Sequence, residues 1–548
     1  MREEDQERIQ IEIRGRVKRQ VLGPEDYPAS KPIDEVLAES IYQERIRLKE
    51  EEPSRRRKDD LLFWEQISDS LRRSSDAAWL GALEDVIVHY AREIAGHFDP
   101  RVYNAVTRAG APALGLLLNA FSPKKLVTAP QQLPSIDEAI VMDGELEQLR
   151  RLHELGTVIL VPTHVSNMDS IVIGYALWKL GLPPFLYGAG LNLFSNPLIG
   201  FFMHNLGAYT VDRKKRDPLY KDVLKEYATL TLECGYDNIF FPGGTRARSG
   251  AFEQKLKLGL LGSGVRAYTH NLQQNKTHPK VFIVPASLNY QLVLEAETLI
   301  DDFLKEVGKS RYIITDDEFS EPRRVFDFMR RILHLDSKIY FTVGKACDPF
   351  GNDVDEEGES LDPTGRRIDP SRYVWVRGVP DSDPQRDAEY TREVGERLMG
   401  AYARDNVVLS TNISARAIFN LLRRHNPNRG LLRLIRSTCP VEDFSLRDVY
   451  LEVEWLLERI REQERIGQIR IARSLSDMSI EDIVADGLRH FASFHTREAC
   501  VRRGDRVFVV DKPLLLYYQN RLEGYAWLLD HERKVVLSPD HRRLWGLQ

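Results

Sequence analysis

Cysteine is scarce in this 548-residue chain. There are four, Cys234, Cys347, Cys439 and Cys500, all far apart. No pair has Cys-x-x-Cys spacing, which argues against a zinc site or a disulfide framework and fits a reducing cytoplasm. Long apolar runs are also missing. None reaches the roughly 18 uncharged residues expected of a membrane-spanning helix. The first residues, MREEDQERIQ, contain no apolar signal-peptide core. There is no GxSxG nucleophile elbow and no GxxxxGK[ST] phosphate loop. Strong charge of one sign is absent too. The net charge is −5, so no global field speaks for nucleic acid, and none is expected as a partner.

What is present suits globular domains: 42% hydrophobic and 9% aromatic residues. The length suggests two to four domains. Half of residues 1–60 are charged, which predicts solvated helix or partly disordered tail. Residues 61–129 show apolar positions at helical spacing, among them Trp79, Leu83, Val86, Tyr90 and Ile94, and a short apolar helix at 111–121. Residues 130–350 alternate strand-like runs with helical patterns. The predicted strands are 157–162, 185–190, 208–213, 238–244, 280–290 and 338–344, with a helix over 217–235. That alternation predicts an α/β domain with a mostly buried central sheet flanked by helices. Residues 351–383 are rich in Gly, Pro and Asp and read as a loop or insertion. Residues 384–548 read as mainly helical, with capping signals at Ser445/Asp448 and Ser479/Asp482 and a strand at 506–510.

One segment is unusual. Between Ser170 and Val211 the only formally charged residue is Lys179. Its glycines and prolines interrupt it too often for a spanning helix, so short buried pieces around an apolar space are expected.

Four stretches carry candidate chemistry. VPTHVSNMDS (161–170) places His164 after a strand and Asp169 at the start of a helix. If the turn folds back, the carboxylate holds one ring nitrogen and leaves the other as a base. With no GxSxG and no neighbouring cysteine, that base is expected to act on a substrate hydroxyl. FFPGGTRARSG (240–250) runs a strand into Gly243 and Gly244, then Arg246 and Arg248. Glycines admit a ligand close to the backbone, and alternating arginines can converge on a dianion. LGAYTVDRKKRDPLY (206–220) puts Arg213 at a strand end, with Lys214, Lys215 and Arg216 expected as a solvated turn. VPASLNY (284–290) ends a buried strand in polar residues, with Glu295 beyond.

In this order the four stretches resemble the blocks of the glycerolipid acyltransferase superfamily: an H-x4-D block, a block ending in Arg, an FPEGTRSRSG-like block and a VP strand. The longer pattern, GAGLNL…GFFMHNLGAYTVDR…LYKDVLKEY…FFPGGTRARSG, resembles the large membrane-associated glycerol-3-phosphate and dihydroxyacetone-phosphate acyltransferases. The resemblance covers roughly residues 130–350, and LLLYYQNRLEGY near the C-terminus is similar more weakly. One departure stands out: Gly243 occupies a position where many members have Glu.

The resemblance implies an enzyme that moves a fatty acyl group from an acyl thioester to a hydroxyl of glycerol 3-phosphate. Lysophosphatidate or dihydroxyacetone phosphate is the alternative acceptor, and a catalytically weak lipid-binding scaffold is the alternative of another class. His164 and Asp169 would be catalytic. Arg213, Arg246 and Arg248 would bind the acceptor phosphate, with Gly243 and Gly244 in their loop. No metal or bound cofactor is implied. The donor would be acyl-CoA or acyl carrier protein. The location implied is the periphery of a membrane at its cytoplasmic face, the inner membrane in a bacterium, and the uncharged 170–211 segment would line the acyl-chain channel.

Overall fold

The computed structural model describes residues 1–23, 31–51, 55–73, 75–102, 136–190, 205–307, 337–492 and 495–528. The expected helix at 111–121 and the 191–204 part of the uncharged segment lie outside these residues.

Four helices come first: α1 (Glu3–Leu22), α2 (Ile33–Glu50), α3 (Arg55–Arg72) and α4 (Asp76–Ile94). A seven-stranded sheet follows, with β1 (Ile140–Gly144), β2 (Thr157–Pro162), β3 (Leu186–Gly190), β4 (Ala208–Val211), β5 (Asn238–Ile239), β6 (Val281–Tyr290) and β7 (Ile339–Val343). Between these strands run α5 (Leu146–Leu155), α6 (Asp169–Lys179), α7 (Pro218–Glu233), α8 (Ser263–Gln273) and α9 (Ala296–Val307). The sheet order is β1-β7-β6-β2-β5-β3-β4, and every pair is parallel except β6 with β7. The expected α/β class with flanking helices is therefore what the chain forms.

The centre of the sheet explains its own sequence. All six residues of β2 and all ten of β6 are buried. Strands covered on both faces read as continuous apolar runs. Successive side chains alternate between two cores. Val158 and Leu160 join one core with Val284 and Leu288, whereas Ile159 and Val161 face the other with Val281 and Ile283. Burying each such side chain contributes about 1.5–3 kcal/mol relative to exposure.

Helix α7 shows how local chemistry sets an element's start. Pro218 occupies its first turn, and the Asp217 side chain accepts the Leu219 N–H at 3.0 Å. The same carboxylate accepts the Tyr90 hydroxyl of α4 at 2.6 Å, tying the cap to the N-terminal helices.

The N-terminal segment differs from the expected solvated helix or tail. Ile9, Ile13 and Val17 at helical spacing are buried against α4 and α7, and some of the charges are buried as well, Arg47 pairing with Glu44 at 2.8 Å and Asp60 at 2.9 Å. The basic turn at 214–216 is also not uniformly solvated. Lys214 and Arg216 are exposed, but the Lys215 side chain is 1% exposed and pairs with Glu93 at 2.5 Å and Glu44 at 3.4 Å. Carboxylates from two distant helices supply the partners that make this burial tolerable.

The segment 351–383 contains only two-residue strands and one 3-10 turn. The chain then continues through α10 (Pro384–Arg404), α11 (Ser410–His425), α12 (Leu446–Arg465), α13 (Ile480–Phe491) and α14 (Lys512–Gln519). Both expected caps form: Ser445 accepts from Asp448 N and Ser479 from Asp482 N, each at 3.1 Å. The expected strand at 506–510 is present as Arg506–Val509. It is the middle strand of a small antiparallel sheet with Asp443–Ser445 and Cys500–Arg503, which the sequence reading did not include. The hydrophobic core runs without a break from β2, β6 and β7 into α11 and α14.

Candidate active site

Strand β2 ends at Pro162, and two residues later His164 emerges at the carboxyl end of the parallel strands, where open α/β sheets place their ligand sites. The chain turns at once into α6, whose first residue is Asp169. One carboxylate oxygen, Oδ2, gathers the turn around itself. It lies 2.8 Å from His164 Nδ1 and accepts the backbone N–H of Val165 at 2.7 Å and of Ser166 at 3.0 Å. The other oxygen, Oδ1, accepts the Tyr290 hydroxyl from the end of β6 at 2.7 Å. Asp169 is wholly buried, so its orientation is set by four hydrogen bonds rather than by solvent.

This arrangement fixes the imidazole. With Asp169 accepting, Nδ1 carries the hydrogen and Nε2 presents its lone pair. Nε2 has no hydrogen-bond partner among the described residues, and the side chain retains 11% exposure. The ring also stacks on Phe241, with centroids 4.2 Å apart. The structure thus brings the two residues of the H-x4-D block into direct contact.

The arginines arrive from two directions. Arg213 follows β4, and Arg246 and Arg248 lie on the loop after β5. Pro242 and the paired glycines end the expected strand 238–244 early, leaving only Asn238–Ile239 in the sheet. Gly244 has φ 72° and Gly250 φ 84°, backbone positions suited to glycine. At Gly250 a Cβ would lie 2.1 Å from the carbonyl oxygen of Tyr517, so the C-terminal helix seats directly on the loop.

The loop is anchored to the histidine turn by Glu295. This wholly buried carboxylate accepts from the Ser166 hydroxyl at 2.8 Å, the Asn167 N–H at 3.0 Å and Arg246 Nη1 at 3.2 Å. Arg248 pairs at the surface with Glu306 at 2.9 Å, an exposed contact worth little. Arg213 forms no ion pair among the described residues. Desolvation and the fields of Arg246 and Arg248 lower its pKa. Arg213 itself is exposed, and three guanidiniums near enough to repel one another are chemically able to hold an anion.

That cluster reaches His164. Desolvation is the main force lowering the imidazole pKa. Asp169 opposes it, and Arg246 and Arg213 add to it. At neutral pH the ring is therefore mostly neutral. Titration followed by selective ¹⁵N-histidine NMR should give His164 a pKa below the ordinary value of about 6.5. Arg213→Ala, which removes a nearby cation, should raise it.

A cavity of about 20 Å³ is lined by Val165, Asn289, Tyr290, Tyr517 of α14 and Arg521 of the 3-10 turn that follows it. Arg521 donates to the Leu288 carbonyl and the Asn406 side chain, both at 2.7 Å. The sequence reading did not single out Tyr290, Glu253, Phe241 or Arg521 as site residues, and it noted Glu295 only in passing.

A family model described as Acyltransferase matches residues 144–289. The chain is 31% identical over 202 residues to a glycerol-3-phosphate acyltransferase of Pseudomonas fluorescens (strain SBW25), covering 34% of this chain and 23% of that protein. It is 32% identical over 188 residues to one of Pseudomonas syringae pv. tomato, covering 31% and 22% respectively. A third, from Aeromonas hydrophila subsp. hydrophila, is 34% identical over 154 residues, covering 28% and 18%. The matched region thus spans less than a quarter of each of these relatives. Residues 144–289, with His164 at the centre of their sheet's carboxyl edge, match the Acyltransferase family model and are similar to the corresponding part of the glycerol-3-phosphate acyltransferases.

Proposed function

We propose that the protein transfers a fatty acyl group from an acyl thioester, acyl-CoA or acyl carrier protein, to a hydroxyl of glycerol 3-phosphate. The observation that carries this reading is Arg213, without an ion pair among the described residues, beside Arg246 and Arg248 and close enough to His164 to help lower its pKa. A base next to a dianion site suits an acceptor that holds a hydroxyl and a phosphate on one small molecule.

In this reading the arginines hold the phosphate and so place the hydroxyl at His164 Nε2. The hydroxyl proton passes to Nε2, and Asp169 stabilises the imidazolium. The oxygen attacks the thioester carbonyl. Collapse of the tetrahedral intermediate forms the ester C–O bond and breaks the C–S bond, and the imidazolium returns its proton to the leaving thiolate. No enzyme nucleophile takes part.

The test offers purified protein a labelled acyl thioester with glycerol 3-phosphate, dihydroxyacetone phosphate and 1-acylglycerol 3-phosphate in parallel. Glycerol 3-phosphate is expected to give the highest kcat/KM. Transfer to none of the three would end the proposal, and a preference for either of the others would change the acceptor.

We further propose that the protein works at a membrane surface, with the uncharged 170–211 segment guiding the acyl chain. No described helix is long and apolar enough to cross a membrane. Membranes from expressing cells, washed in alkaline carbonate, should release the protein. Retention after that wash would contradict peripheral attachment.

A further inference from the structure

The histidine turn is gripped from a direction the H-x4-D pattern does not reveal. The His164 backbone N–H donates to Glu253 Oε1 at 2.6 Å, and the His164 carbonyl accepts the Ala247 N–H at 2.7 Å. Both partners belong to the arginine loop and its exit, so the loop clamps both sides of the residue that carries the imidazole. Glu253 is only 8% exposed. Its second oxygen, Oε2, is buried with no hydrogen-bond partner among the described residues. Leaving such a group unsatisfied is costly. Burial pushes the carboxyl up to about 7, opposed by the His164 N–H and by Arg521, with Asp169 adding to the rise.

The position of this side chain depends on Gly243. A Cβ at residue 243 would lie 2.9 Å from Glu253 Cγ and 3.4 Å from Oε1. Cβ atoms are not found at the first of these distances, so any side chain at 243 must displace Glu253. Gly243 has no positive φ to require a glycine. The space it leaves open is the space through which Glu253 reaches His164.

We propose that Glu253 is a positioning residue for His164, and that Gly243 lacks a side chain in order to admit it. The carboxyl fixes the His164 peptide and hence the direction of Nε2. This rests on the reading of His164 as the base, so one of the two measurements is independent of turnover.

The experiment is a double-mutant cycle in the full chain, read by steady-state acyl transfer to glycerol 3-phosphate. Glu253→Ala should lower kcat by about 10- to 100-fold, since small misplacements of a reacting group have effects of that order. The KM values for donor and acceptor should stay within about twofold. Glu253→Gln should recover most of the lost kcat, because its amide oxygen still accepts the His164 N–H. Gly243→Ala should lower kcat through the clash, and in the Glu253→Ala background the same change should have almost no further effect. Selective ¹⁵N-histidine NMR gives the second reading. The His164 ring signals should move in Glu253→Ala and in Gly243→Ala, and stay near their native positions in Glu253→Gln. Wild-type kcat in Glu253→Ala, or a Gly243→Ala loss that multiplies fully onto it, would overturn the proposal. If Glu253→Ala proves unfolded by its melting curve, Gly243→Ala and Glu253→Gln decide alone: equal losses in both would refute it. If wild-type protein transfers no acyl group, the function reading fails, and the NMR cycle still judges the positioning claim.

Discussion

His164→Ala should lower acyl transfer by about 10²–10⁴-fold, the usual range for losing a general base, while leaving the fold intact. The ring is at the rim, with 11% of its side chain exposed. Its anchoring contacts to the loop run through its backbone, which alanine keeps. A melting temperature near wild type is therefore expected beside the lost activity. Asp169→Asn should be nearly as damaging to catalysis and worse for stability. Oδ2 accepts two backbone N–H groups as well as the imidazole, and an amide nitrogen turned toward them would set donor against donor. Oriented the other way, the amide would face the Tyr290 hydroxyl and the ring would keep its tautomer, but no carboxylate charge would stabilise the imidazolium formed during transfer. Turnover and melting curves on both variants check these outcomes. Near-normal turnover in His164→Ala would remove the base from the mechanism.

Arg213→Ala should raise the acceptor KM by about 10- to 100-fold and leave the donor KM nearly unchanged. A hydrogen bond to a charged group contributes about 1.5–3 kcal/mol, and 1.4 kcal/mol is tenfold. Arg213 is the cleanest probe because it forms no ion pair among the described residues, so its removal strands no carboxylate. Arg246 is different. Its partner Glu295 is wholly buried and also holds Ser166 and Asn167. Arg246→Ala should therefore raise the acceptor KM and also lower the melting temperature, since breaking a buried pair leaves a charge uncompensated. Arg248, whose ion pair among the described residues is the surface contact with Glu306, should affect KM without affecting stability. Lysine at 213 should restore part of the affinity, because a point charge lacks the planar fork. Loss of kcat is expected alongside KM wherever the phosphate grip places the hydroxyl. Unchanged acceptor kinetics in Arg213→Ala and Arg248→Ala, with only stability lost in Arg246→Ala, would reduce the cluster to a brace for its loop.

Contacts made within a few residues were legible in the sequence, and contacts made across the chain were not. His164 and Asp169 are five positions apart, and a strand followed by a helix fixes how such a pair meets. The buried strands at 157–162 and 281–290 are long apolar runs that read directly. The stretch at 238–244 looked equally apolar in its first half, but Pro242 and two glycines confine the ladder to two residues. Strand β1 and the strands at 443–445 and 500–503 are five residues or fewer, too short for a period to show. Lys215 sits in a basic turn and reads as solvated. Its burial depends on Glu44 and Glu93, which come from helices more than a hundred residues earlier. Glu253 and Glu295 look like ordinary charges after a loop and a strand. Nothing local signals that one accepts the N–H of His164 and the other joins the arginine loop to the histidine turn.

The central claim is that a neutral His164 takes the acceptor's hydroxyl proton while the acyl group passes straight from donor to acceptor, with no enzyme-bound intermediate. A single-turnover reaction, with protein in excess over labelled acyl thioester and quenched at intervals, tests it most directly. With glycerol 3-phosphate present, label should pass to a lipid-extractable acylglycerol phosphate as fast as donor is lost. Without acceptor, the donor should persist and no label should remain on denatured protein. Label bound to the protein before product appears, or donor breakdown at the same rate without acceptor, would contradict the account.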